Sequence, residues 1–194
     1  MVFQERTYAV LIVSSSEAFS TSVRPLFPGT DYWPVDTVSF GGGARRNLLE
    51  RNYDLILINA PLKDEFGSQL ATDICADSSA SVLLFVKNEL LDEVTAKVME
   101  YGVMTIQKPV SSVLISHSLR MLCAQRERLR HLEEKQRSVE EKISELRFVN
   151  RAKWLLIEQR GMTEEEAHRY VEKQAMDQRL SKQEVAKIII TELG

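Results

Sequence analysis

From Val113 to Arg160 the chain contains neither glycine nor proline. Those two residues are the usual breakers of helices, because proline removes a donor and glycine gives up backbone entropy. The stretch is also rich in strong helix formers, as in EKQRSVEEKISELR. It predicts one long helix, ended at Gly161 by a left-handed cap position. The chain thereby divides into three parts: residues 1–111, a rod over residues 112–146, and a C-terminal unit over residues 147–194.

Along the rod, apolar residues recur at alternating spacings of three and four: Leu129 and Leu132, then Val139, Ile143 and Leu146. Gln136 fills the slot between the two groups, Asn150 falls on the next, and Leu122 extends the pattern upstream. This is a coiled-coil seam with interruptions, and polar residues within such a seam fix register and partner number. It predicts a homodimer whose interface comprises Leu129, Leu132, Gln136, Val139, Ile143 and Leu146. The alternative is a helix packed within its own monomer, and Val113–Leu122 is expected to pack on the preceding domain. The charges of Arg126, Arg128, Arg130, Glu133, Glu134, Lys135 and Arg137 read as a solvated face.

In residues 1–111, continuous apolar runs at Tyr8–Val13, Asp54–Asn59 and Val82–Val86 have the character of strands buried on both faces. Val103–Ile106 is a shorter run, and Trp33–Phe40 the weakest strand candidate. Helical stretches lie between them, about Glu17–Leu26, Ala44–Arg51, Ser68–Ala76 and Glu89–Tyr101. Alternation of this kind predicts an α/β domain with a five-stranded parallel, flavodoxin-like sheet, whose ligands sit at the carboxyl ends of the strands. Gly41-Gly42-Gly43 matches no phosphate-loop fingerprint and reads as a flexible β–α turn.

In order and spacing this domain resembles response-regulator receivers. That resemblance implies an acidic pair after the first strand, a phosphorylated aspartate ending the third, a hydroxyl residue ending the fourth, and Lys-Pro after the fifth. Here those places hold Ser14-Ser15, Asn59, Val86 and Lys108-Pro109. An amide cannot form an acyl phosphate, and hydroxyls supply no charge for Mg²⁺. The expectation is a pseudo-receiver without phosphotransfer, governed by a protein or small molecule or serving structure alone. Asp64, five residues past Asn59, reads as a solvated loop aspartate.

In the C-terminal unit, Thr163–Glu166 and Ser181–Glu184 are two capping boxes. With the Gly161 stop they predict three helices: one up to Arg160, one about Thr163–Arg179 and one about Ser181–Leu193. Leu146, Val149, Ala152 and Leu156 form the first apolar stripe of this all-α bundle. Ala167, Tyr170, Val171, Gln174 and Ala175 form the second, and Val185, Ala186, Ile189, Ile190 and Leu193 the third. Trp154 and Tyr170 are expected to pack in its core.

Arg151-Ala152-Lys153, Gly161, Glu164–Ala167, Ala175, Arg179 and Val185-Ala186 are together similar to the ANTAR domain, with Trp154 where the family carries glycine. The resemblance implies a dimeric RNA-binding antiterminator that holds paired leader hairpins against terminator formation. Phosphate and base contacts are expected from Arg147, Arg151, Lys153, Arg169, Lys173, Gln174, Arg179 and Lys182. A DNA-binding response regulator and a protein-interaction adaptor are the alternative readings.

Charge and composition bound these readings. Residues 1–111 carry 9 basic against 14 acidic side chains, and residues 112–194 carry 16 against 14. The second part is too weakly basic for indiscriminate polyanion binding. Cys75 and Cys123 read as reduced thiols, and His117, His131 and His168 lack metal-ligand spacing. No nucleophile–base pair stands out, so no enzyme, metal or cofactor is expected. Without a leader at the N-terminus or a membrane span, the expected location is cytoplasmic.

Overall fold

The computed structural model describes residues 7–194. Met1–Arg6, part of the stretch read for a leader, lie outside the described residues. The chain divides into one compact unit ending at His131 and another from Leu132 onward.

The first unit is a five-stranded parallel sheet in the order β2-β1-β3-β4-β5. Its strands are β1 (Tyr8–Ser14), β2 (Tyr32–Val38), β3 (Leu55–Asn59), β4 (Ser81–Lys87) and β5 (Met104–Lys108). Helices α1 (Glu17–Val23), α2 (Gly41–Glu50), α3 (Ser68–Asp77) and α4 (Leu91–Val98) connect them. Alternation along β1 sends Leu11 and Val13 to one core layer with Ala44, Leu70 and Val94. It sends Val10 and Ile12 to the other, with Val23, Ile115, Leu119 and Leu122.

Those last three residues belong to α5 (Ser112–Arg160), a single helix. Its first turns pack on the sheet, as expected for Val113–Leu122, which follow directly from the fifth strand. Leu122 is fully buried there and is not a seam residue. The expected solvated face also needs correcting. Arg126 Nε and Arg130 Nη2 lie 3.1 and 2.9 Å from Asp54 Oδ1, all three side chains largely covered. The other oxygen of Asp54 accepts from the Ala9 N–H at 3.0 Å. Tyr8 Oη donates to Glu127 at 3.1 Å, and burial together with that carboxylate pushes the phenol up to about 12. The charge pattern concealed these pairs because their partners lie 72 to 119 residues earlier in the sequence.

In the second unit, the end of α5 packs with α6 (Glu164–Gln178) and α7 (Lys182–Leu193). The core contains Val149, Ala152, Leu156, Ala167, Val171, Ala175, Val185, Ala186 and Ile189. Both capping boxes are formed, at Thr163/Glu166 and at Ser181/Glu184. Gly161 has φ +65°, the left-handed geometry expected of it. Leu146 departs from the predicted core stripe: it is 61% exposed. So does Trp154, at 58%.

Removing the Asp54 carboxylate leaves Arg126 and Arg130 without their shared partner. In Asp54→Ala, amide hydrogen exchange over residues 124–131 should rise by at least tenfold while the sheet amides stay protected. Unchanged exchange would show that the pair does not hold α5 down. Leu122→Ala should cost about 2–5 kcal/mol in urea unfolding, the usual penalty for emptying a filled core site.

Candidate nucleic-acid interface and degenerate receiver pocket

At the carboxyl edge of the sheet, β1 and β3 end side by side with Ser14 opposite Asn59. Both residues are buried. Asn59 Nδ2 donates to Ser14 Oγ at 3.0 Å, and Asn59 Oδ1 accepts from Lys108 Nζ at 2.7 Å. Lys108 also donates to the Ala60 carbonyl. Ser14 Oγ is further engaged by the Ser16 N–H and carbonyl, each at 3.1 Å. Ser15 turns outward and donates to the Pro61 carbonyl at 3.1 Å, while Val86 lies buried in the core. The five positions singled out from sequence therefore comprise a joined trio of Ser14, Asn59 and Lys108, with Ser15 and Val86 outside its hydrogen bonding.

Within the trio, the lysine meets only neutral acceptors. Among the described residues no carboxylate forms an ion pair with Lys108. Burial and the opposing Lys87, its neighbour across the β4–β5 ladder, hold the Lys108 amine below the usual lysine range. The pocket lacks a nucleophilic carboxylate and a set of anionic ligands for a divalent cation.

The glycine run is placed differently from its sequence reading, and Asp64, exposed in its loop as expected, takes a capping role there. Gly41–Gly43 form the first turn of α2, not a flexible loop. Phe40, at the N-cap, supplies no side-chain acceptor. Asp64 supplies it from the β3–α3 loop, accepting the N–H groups of Gly41 at 2.7 Å and Gly42 at 2.9 Å. Those two donors, with Arg45 nearby, lower its carboxyl from the ordinary range. The absent Cβ of Gly41 leaves room for Glu65, which pairs with Arg45. Backbone donors suited to an external anion are thus taken by the chain's own carboxylate. Beside them, an open cleft of about 610 Å³ is lined by Ser14, Ser15, Ser20, Thr37, Arg46 and Lys63, among others.

On the second unit, the residues expected at RNA fall into two groups. Lys153 and Lys182 are tied down: Lys153 Nζ reaches Glu164 at 2.6 Å with its side chain only 14% exposed, and Lys182 Nζ reaches Glu172 at 2.6 Å. Gln174 accepts from Gln178 at 2.7 Å, and Arg169 lies 3.5 Å from Glu165 with both side chains in solvent. Arg147, Arg151, Lys173 and Arg179 are exposed and form no ion pair among the described residues. Arg179 adopts φ +56° at the α6 C-cap, a conformation that favours glycine, and its N–H closes on Ala175 and Met176. Spacing alone missed Arg160 and Lys187, which lie over the rings of Tyr170 (5.5 Å) and Phe148 (5.0 Å).

The seam residues are also placed. Leu129 is half-buried; Leu132, Gln136, Val139, Ile143 and Leu146 are exposed. They lie at seam spacing on α5, ahead of the first arginine of the interface. No helix is long and apolar enough to cross a membrane, and no group of three metal-ligating side chains forms among the described residues.

The chain thus combines a receiver-type sheet with a neutral pocket, a long helix and a small helical bundle. Residues 137–190 match the ANTAR domain family, and the chain carries an ANTAR domain behind its receiver-like unit. It is 26% identical over 145 residues to the transcriptional regulatory protein PdtaR of Mycobacterium tuberculosis, covering 73% of this chain and 69% of that protein. The fold is similar to the signal receiver domain of an HD domain-containing protein from Pseudomonas fluorescens. The TM-score is 0.59 at 21% identity, covering 68% of this chain and 96% of that one. A CheY-like receiver domain from Methylobacillus flagellatus gives 0.52 at 18% identity, covering 60% and 99%.

Incubation with acetyl phosphate or phosphoramidate and Mg²⁺ should leave the intact mass unchanged. A stoichiometric phosphoryl adduct at Asn59 or Asp64 would refute the inactive-pocket reading.

Proposed function

We propose that this chain is a dimeric RNA-binding antiterminator. Its ANTAR unit binds paired stem-loops in a leader transcript and holds them against an overlapping terminator. The reading rests first on the ANTAR match over residues 137–190. The observation that carries it further is an uncovered apolar line, Leu132–Val139–Ile143–Leu146, running directly into the exposed Arg147 and Arg151 of the same helix. Exposed apolar residues at spacings of three and four on a long helix suit a second copy of that helix. Gln136, on the same line, gives the pair a register.

Two modules joined through such a seam engage two stem-loops with the advantage of high effective concentration. Arg147, Arg151, Lys173 and Arg179 are the available phosphate contacts, because no carboxylate of the described residues pairs with them. Lys153, Arg169 and Lys182 reach RNA by exchanging one carboxylate partner for a phosphate. Gln174 and Asn150 present amides to base edges. The receiver-like unit answers to a protein or a small molecule in place of phosphate, with the cleft beside Arg46 and Lys63 as its entry point. DNA reading by α7 is less favoured, because Val185, Ala186 and Ile189 are committed to the bundle core and leave few donors for base edges.

Selection from a library of tandem stem-loops with randomised loops tests the reading. Enriched RNAs should bind with an affinity that falls steeply as salt rises. Failure to enrich any RNA would overturn it. In the double variant Ile143→Asp, Leu146→Asp, sedimentation should report monomers. Affinity for the tandem RNA should then drop about 100-fold, toward that for a single stem-loop. Dimers that persist would place the interface elsewhere.

A further inference from the structure

Trp154 contradicts the usual behaviour of its side chain. A tryptophan near the end of a bundle helix is expected to bury its indole, yet this one is 58% exposed. The other two aromatic rings of the unit are already covered by cations, Phe148 by Lys187 and Tyr170 by Arg160. No cation lies over Trp154 among the described residues, and its indole N–H has no hydrogen-bond partner there.

Its neighbours have a consistent character. Asn150 and Arg151 stand four and three residues before it, and Arg147 seven before. At about 100° per residue these side chains fall within about 60° of the indole around the helix. All three are exposed, and neither arginine has an ion-pair partner among the described residues. Lys153, immediately beside them in sequence, is turned away into its pair with Glu164. The surface is therefore a π-face with two unpaired guanidinium groups and one amide on its N-terminal side and the exposed Glu158, four residues on, at its C-terminal side.

We infer that Trp154 is a stacking platform for an unpaired base in an RNA loop. Arg147 and Arg151 hold the phosphates on either side of that base, and Asn150 faces its edge. Stacking on an aromatic face with cationic backbone contacts is how single-stranded nucleotides are commonly held. A second copy of the chain fits this patch less well. Trp154 falls only about 20° from Ile143 around α5, but a parallel partner on this face would set Arg147 and Arg151 against their own counterparts. This inference rests on the RNA-binding reading and adds to it a specific contact.

The test uses the full chain and the tandem stem-loop RNA recovered by selection. Trp154→Ala should weaken binding about 5- to 150-fold, the range for losing one stacked base, whereas Trp154→Tyr should stay close to the unsubstituted protein. Both variants should keep the original melting temperature and the same sedimentation coefficient. In a Trp33→Phe background Trp154 is the sole tryptophan, since the chain has 2. Its fluorescence should be quenched by the RNA and unaffected by a blunt RNA duplex without loops.

Equal affinity of Trp154→Ala and the unsubstituted protein would overturn the stacking role while leaving RNA binding intact. Dissociation of dimers by Trp154→Ala would assign the ring to a second copy and likewise overturn it. If the unsubstituted protein binds no selected RNA, the RNA-binding reading falls, and this inference falls with it.

Discussion

One uninterrupted ladder of backbone hydrogen bonds, running through α5, carries the organisation of the chain. Its apolar residues change employer along its length. Ile115, Leu119 and Leu122 complete the core beneath the sheet. Leu132, Val139, Ile143 and Leu146 belong to neither core and stay exposed. Val149, Ala152 and Leu156 then build the core of the helical bundle. An isolated polar helix is marginal in water, so its order depends on what is attached at each end. At the first end the attachment is partly ionic. Asp54 grips Arg126 and Arg130 just before the exposed segment begins.

The carboxyl edge of the sheet shows how a receiver pocket can keep its shape without its chemistry. Lys108 remains aimed at the end of β3, but it meets an amide there. Ser14 satisfies the opposite side of that amide. Ser14 is a neutral partner of Asn59 and Lys108 a basic one, its amine held below the usual lysine range by burial and Lys87. Hydrogen bonding replaces the charge balance that phosphorylation would require. Asp64 completes the picture from the neighbouring loop by occupying the donors at the start of α2.

The sequence was most informative where a local rule decides the outcome. Five strand runs, the capping boxes and the Gly161 stop were legible because each depends on a few adjacent residues. The pocket was legible because its residues end successive strands. Long-range pairing was not. The spacing of Arg126 and Arg130 suggested a solvated face, since Asp54 is remote in sequence. Asp64 read as a solvated loop residue, which it is, but its bonds to Gly41 and Gly42 were hidden because those partners lie 23 and 22 residues earlier. Gly41–Gly43 read as a turn because glycine propensity disfavours helix, and the hydrogen bonds to Asp64 override that preference. Trp154 read as core because apolar content does not reveal on which side of a crowded stripe a ring falls. Of the interface residues, the helices were evident, but which cations are free and which are held by glutamates required the fold.

The continuity of α5 makes its length a matter of phase. Adding or deleting one residue between Leu132 and Leu146 would turn the residues beyond it by about 100° around the helix axis relative to the apolar residues before it. The same edit would rotate the upper part of the uncovered apolar line away from the lower part. Seven residues would nearly restore the phase, leaving a drift of about 20°. Within the segment Leu132–Leu146 the apolar line is therefore like the lobes of a camshaft, on which spacing and angle are set together.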